Sequence, residues 1–191
     1  MKTAFPVSQL RLVSLQTVLI SCLSVVGFTV LTALCAHAKI YLPFTPVPIT
    51  LQSMAVVLSG AVLGANKGLV SQVLLILLGW VGLPVFSSNL EGAQVIFGST
   101  GGYILGFMLC AYVSGLLKER GALKKFGLST FALFVASFFI FVPGVIWLKA
   151  MLGISWSAAL AMGLYPFIVG DILKTLASSS VIWTLAKIKR P

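Results

Sequence analysis

The run from Leu12 to Ala38, LVSLQTVLISCLSVVGFTVLTALCAHA, contains no charged residue. A hydrocarbon core about 30 Å thick needs about 20 apolar residues in one helix to cross it, so this run is long enough by itself. It ends in Ala36-His37-Ala38, which has the small-x-small spacing of a signal-peptidase site. The apolar part of a signal is only about 7–15 residues; the reading is therefore a retained first helix, with a cleaved signal as the alternative. The rest of the chain has the same character. Of 191 residues, 59% are hydrophobic and 8% charged, and the mean hydropathy is +1.12. Soluble domains carry about 25% charged residues. The expectation is an all-α integral membrane protein, one membrane-embedded domain over residues 1–191, with room for about six spans.

Working outward from that run, the apolar segments predict spans at about 12–38, 49–65, 69–86, 103–117, 126–148 and 166–186. Pro43, Pro46 and Pro48 remove backbone donors and force extended geometry between the first two. Asn66-Lys67-Gly68 reads as a tight turn, Gly82-Leu83-Pro84 as a break, and Gly98, Gly101 and Gly102 as a glycine-rich loop. A short helix is expected near 150–165, and Pro166 suits the first turn of the last span.

The formal charge of +10 raises the question of nucleic acid. Its layout answers it: Lys and Arg stand singly or in pairs between apolar runs, with no basic, aromatic-interleaved face. With both termini in the cytoplasm, Lys2, Arg11, Lys67, Lys118, Arg120, Lys124, Lys125, Lys187, Lys189 and Arg190 fall inside. Only Lys39 and Lys149 fall outside. That asymmetry is the positive-inside pattern of a multi-pass protein. Cys22, Cys35 and Cys110 lie in apolar segments without CxxC spacing and read as small packing residues.

The outer connections are the elaborate ones, and a polar pair lies close below them. Asp171 and Lys174 are set in Phe167-Ile-Val-Gly-Asp-Ile-Leu-Lys174. Asp171 precedes Lys187 by about 24 Å of helix, which puts the pair in the outer part of the bilayer. Residues three apart share a helix face, and charges at that depth face a cavity or one another. A structural pair closing the bundle is one reading; a binding pocket is the other, favoured by the polar groups nearby. Thr50 and Gln52 head the second span, Thr50 also being placed to cap it. Asn89, Gln94 and Ser99 add amides and a hydroxyl from the glycine-rich loop. No paired carboxylates, HExxH or nucleophile elbow is present, and the chain has a single His. No repeated selectivity filter is visible either. The pattern is that of a substrate-capture subunit, with no metal and no cofactor expected.

Five motifs, in order, give that pattern a relative. Pro46-Val-Pro-Ile-Thr-Leu-Gln52, Leu63-Gly-Ala-Asn-Lys-Gly68, Gly82-Leu-Pro-Val-Phe86, Ser99-Thr-Gly-Gly-Tyr103 and Gly170-Asp-Ile-Leu-Lys174 resemble the biotin-specific S components (BioY) of energy-coupling factor transporters. Ala65 and Val169 stand where that family usually has Pro, and Leu90-Glu91 where it has glycines. The resemblance implies six helices whose outer loops and last helix enclose biotin. It also implies assembly with a transmembrane coupling protein and two ATPases, which hydrolyse ATP on its behalf, in a bacterial cytoplasmic membrane. Biotin's ureido ring would meet Asp171 and Lys174, and its apolar parts Tyr41, Phe44 or Phe86. Its carboxylate would meet Lys174 or a glycine-rich backbone nest. Asn89, Gly101, Gly102 and Tyr103 complete the candidate set, and Thr17, Ser21 and Ser24 are the first-helix candidates for docking the coupling protein. The alternatives are an S component for another vitamin and a stand-alone membrane facilitator.

Overall fold

Prolines and glycines decide where the helices begin and end. The structure, a computed structural model, describes residues 7–87 and 93–188. Helix α1 (Val7–His37) leads into β1 (Lys39–Ile40), which pairs antiparallel with β2 (Ile49–Thr50), Lys39 opposite Thr50 and Ile40 opposite Ile49. The proline-bearing link between them is non-helical but not extended as expected: it turns, with the Thr45 N–H donating to the Leu42 carbonyl at 3.4 Å, and closes a small hairpin. Then follow α2 (Gln52–Leu63), α3 (Ala65–Trp80), α4 (Ala93–Phe97), α5 (Gly101–Glu119), α6 (Phe126–Leu152), α7 (Trp156–Gly163) and α8 (Tyr165–Ile188).

Several expected boundaries move. Asn66-Lys67-Gly68 is the first turn of α3, not a tight turn; the break falls at Gly64, whose φ of 92° is one that glycine adopts without strain. The C-terminal end of α5 stabilises that break. Glu119 accepts a 2.8 Å hydrogen bond from the Ala65 N–H, while Lys118 Nζ donates to the Val62 carbonyl at 2.5 Å. An anion thus meets the start of α3 and a cation the end of α2, the signs each helix terminus favours. Gly101 and Gly102 belong to α5 and not to a loop. Helix α6 continues past 148 to Leu152 and stops at Gly153 in left-handed geometry, φ 64°. The short helix expected near 150–165 is α7, capped by Ser155 Oγ accepting from the Ala158 N–H at 3.3 Å.

The chain is mostly helical, and among the described residues four segments are long and apolar enough to cross a membrane: Leu15–His37, Gly101–Glu119, Phe126–Leu152 and Trp156–Ile188, the last interrupted at Leu164. Helices α2 and α3, with 12 and 16 residues, reach only about 18 and 24 Å. They occupy less than the expected 49–65 and 69–86 because the hairpin takes the beginning of the first and Gly82-Leu83-Pro84 the end of the second.

Helices in lipid gain little from burying apolar surface against each other, so small residues that permit close approach decide their packing. A side chain at Gly68 would come within 2.7 Å of the Gly60 Cα, and one at Gly60 would run into the Ala111 carbonyl on α5. This locks α2, α3 and α5 together around Val56, Leu75 and Cys110, all fully buried. Leu19, Leu23 and Leu34 of α1 face outward, as a lipid-facing helix requires. The three cysteines are free, Cys22 exposed and Cys110 buried.

Candidate ligand-binding site

The hairpin, the segment after α3 and one end of α2, α5, α6 and α8 converge on a single cavity. Val47, Pro48 and Thr50 come from the hairpin region, Gln52 and Ser53 from the head of α2, Phe86 and Ser87 from the segment after α3. Helix α5 adds Tyr103, Ile104 and Phe107, with Thr100 just before it; α6 adds Ile140 and Phe141, and α8 adds Phe167 and Lys174. The cavity measures about 60 Å³, and about 600 Å³ when its open mouth is counted.

Two chemistries divide the walls. One side is aromatic: Tyr103 and Phe141 meet edge to face with centroids 6.5 Å apart, and Phe141 and Phe167 lie 6.1 Å apart. Tyr103 is fixed from its far end, its hydroxyl donating to the Gly163 carbonyl at 2.9 Å, so its ring spans from α5 to the α7–α8 joint. The other side is polar. Lys174 Nζ donates to Ser53 Oγ at 3.1 Å, Thr50 Oγ1 accepts from the Gln52 N–H at 3.3 Å, and Gln52 Nε2 reaches the Val85 carbonyl at 3.5 Å. A ligand with an apolar body and a hydrogen-bonding head matches this division.

Asp171 and Lys174 part company. Lys174 lines the cavity. Asp171 is buried and accepts a hydrogen bond from Ser137 Oγ of α6, while its own backbone carbonyl accepts from Thr175 Oγ1 at 3.0 Å. The two share a helix side, yet one step of the helical stripe separates them. Phe167, Asp171, Thr175 and Ser178 form the buried i, i+4, i+8, i+11 stripe against the neighbouring helices, and Lys174 sits at its edge.

The remaining candidates spread out. Thr50, Gln52, Phe86 and Tyr103 line the cavity. Tyr41 and Phe44 are more than half exposed and do not line it. Gly101 and Gly102 sit behind the wall: a side chain at Gly102 would strike the Pro143 carbonyl and the stem of Trp147, and one at Gly101 the Ile96 carbonyl. Gly102 lets α5 approach α6, and Gly101 lets it approach the end of α4. Asn89 lies outside the described residues. On α1, Ser21 accepts from Lys67 Nζ at 2.8 Å, Ser24 bonds the Ile20 carbonyl of its own helix, and all three docking candidates, Thr17 included, lie on a helix whose surface is largely exposed.

The segment carrying Phe86 and Ser87 is held by side chains from the start of the chain. Lys39 Nζ and the Tyr41 hydroxyl both donate to the Ser87 carbonyl, at 2.8 and 2.9 Å, and His37 Nε2 lies 3.0 Å from the Pro84 carbonyl. Opposite, Trp147 Nε1 donates to the Gly98 carbonyl at 2.9 Å and fixes the glycine-rich loop. Sequence reasoning missed these ties, along with Ser53, Phe107, Phe141 and Phe167. Phe167 had a signal, four residues before Asp171 on one helix face. Phe141 had none, being one of several phenylalanines in an uncharged run.

Known proteins place this architecture. The chain aligns with the biotin transporter BioY of Thermotoga maritima at 37% identity, over 80% of this chain and 88% of that one. With the biotin transporter BioY2 of Lactococcus lactis it shares 36% identity, over 71% and 74%. With the biotin transporter BioY of Rhizobium etli it shares 33% identity, over 78% and 83%. Among solved structures, the S-component for biotin from an ECF-type ABC transporter superposes with a TM-score of 0.79 at 26% identity, covering 96% of this chain and 95% of that one. Residues 5–190 match the BioY family, and with that match extending over nearly the whole chain, the chain belongs to the BioY family.

Proposed function

We propose that this chain is the biotin-binding membrane subunit of an ECF-type transporter and takes part in biotin uptake. The observation that carries the reading is the cavity: an aromatic wall on α5, α6 and α8 facing a cluster of donors and acceptors headed by Lys174, within a fold shared with a biotin S-component. Biotin has a ureido head with two N–H donors and one carbonyl, an apolar thioether ring and tail, and a terminal carboxylate. The thioether ring and tail pack on Tyr103, Phe141 and Phe167. Lys174, held by Ser53, donates to an oxygen of the ligand, and Thr50 and Gln52 serve the remaining polar atoms. Asp171 supplies the countercharge that lets an ammonium reside at this depth, where an uncompensated charge is costly. Counted with its open mouth, the cavity of about 600 Å³ lies in the range of sites that take small molecules.

In this reading residues 1–191 form one domain with six membrane-crossing segments, α2 and α3 included, and both termini in the cytoplasm of a bacterium. Lys67, Lys118, Arg120, Lys124, Lys125 and Lys187 then share the inner side, as the positive-inside rule asks. Helix α1, whose outward face is largely unburied, docks a transmembrane coupling protein through the side bearing Thr17, Ser21 and Ser24, and two ATPases supply the energy. Uptake of labelled biotin by cells expressing the chain with and without the coupling protein and ATPases tests this assignment. Uptake that rises several-fold with the full set supports it; equal uptake from vesicles lacking any ATPase contradicts the dependence on partners.

A further inference from the structure

A second concavity lies on the outer surface of the α6–α8 pair, away from the cavity. Gly127, Phe131 and Phe134 of α6 face Ile172 and Leu176 of α8 across an open groove of about 450 Å³. Two threonines enter it, but their hydroxyls are spent on their own helices: Thr130 Oγ1 donates to the Phe126 carbonyl at 3.0 Å, and Thr175 Oγ1 to those of Asp171 and Ile172. What faces the groove is therefore hydrocarbon. From 126 to 134 it runs about 12 Å along α6.

One end of this groove is marked by aromatic rings and positive charge. Phe126 meets Trp183 edge to face at 6.4 Å, and Lys187 Nζ lies 3.6 Å from the Trp183 ring centre. Lys124 and Lys125 precede Phe126 and are exposed. Among the described residues the acids are Glu119 and Asp171; Glu119 is engaged with the start of α3 and Asp171 is buried. The mouth is thus cationic where a membrane–water boundary meets an apolar slot.

We propose that the groove holds one acyl chain of an anionic phospholipid whose phosphate is met by Lys125 and Lys187. The apolar slot sets where the chain lies, and the two ammonium groups select the headgroup by charge. Snorkelling lysines beside interfacial tryptophan are suited to this because their charge stays at headgroup depth.

The full chain reconstituted into nanodiscs with equal phosphatidylglycerol and phosphatidylethanolamine, then released for native mass spectrometry, reads the lipid it keeps. The expected result is retained phosphatidylglycerol, with a preference falling about five-fold for each of Lys125→Ala and Lys187→Ala. Gly127→Leu fills the groove, and an added Cβ there meets nothing within 4 Å, so the helix tolerates it; retention is expected to disappear. Gly127→Ala improves the helix equally with little volume and is expected to keep the lipid. Equal retention of both lipids, or retention unchanged in Gly127→Leu, overturns the proposal as ordinary annular lipid. A photoreactive phenylalanine at 131 gives the other arm: crosslinks to phospholipid support the site, and crosslinks to a polypeptide in the assembled transporter overturn it.

Discussion

Lys174→Met isolates the contribution of the ammonium, since methionine keeps most of the apolar stem and removes the charge. In the structure that ammonium lines the cavity and holds Ser53 at 3.1 Å. A hydrogen bond to a charged group contributes about 1.5–3 kcal/mol, so losing it weakens ligand binding about 10- to 150-fold. The substitution also strips Asp171 of its compensating charge. Removing one member of a buried pair can cost about 3–5 kcal/mol of stability, but Ser137 remains bonded to the carboxylate and offsets part of this. Affinity and stability must therefore be read separately, by calorimetric titration with biotin and by thermal unfolding in the same detergent. Asp171→Asn supplies the second arm, because the amide is close in shape and uncharged. If Asp171 acts through Lys174, Asp171→Asn costs less affinity than Lys174→Met and adds nothing in the Lys174→Met background, while lowering the unfolding temperature. Additive losses of equal size would show Asp171 contacting the ligand directly. Parent-like affinity in a well-folded Lys174→Met protein would refute the placement of Lys174 at the ligand.

Three further outcomes follow from the same geometry. Ser137→Ala removes the donor to the buried Asp171 carboxylate and should destabilise the protein by about 1–3 kcal/mol, seen as a lower midpoint of thermal unfolding; an unchanged midpoint argues against that bond. Gly102→Val places a branched side chain against the Pro143 carbonyl and Trp147; overpacking of this kind costs about 1–3 kcal/mol, so the purified yield of folded protein should drop sharply, and parent-like yield and melting would contradict the close approach of α5 and α6. Tyr41→Phe deletes one of two donors to the Ser87 carbonyl, a loss of about 1 kcal/mol. Stopped-flow measurement should show faster ligand release with little change in association, and a slower association alone would argue against Tyr41 acting through its tie to Ser87.

How much of this was legible depends on what each residue does for its neighbours. Charge-free runs bounded by Lys and Arg placed the long helices because bilayer thickness leaves few alternatives. The break at Gly64 was misread one turn too late, since Asn66-Lys67-Gly68 has turn composition; only Glu119, distant in sequence, reveals that the helix has already restarted. Gly101 and Gly102 read as a nest for a ligand because glycine offers free backbone, but their missing side chains admit another helix instead. Polar residues in apolar surroundings, Gln52 and Lys174, announced the cavity. Its aromatic wall did not announce itself, because Phe107 and Phe141 look like any lipid-facing phenylalanine until the helices are assembled. The separation of Asp171 from Lys174 was equally hidden: helical spacing put them on one side but could not say that Ser137 takes the carboxylate.

Titration of the purified protein with biotin, with riboflavin and thiamine as competitors, tests the central claim most directly. The account predicts saturable one-to-one binding of biotin that neither competitor displaces and that Lys174→Met weakens at least ten-fold. A folded protein that fails to bind biotin, or that gives up biotin to another vitamin, would contradict it.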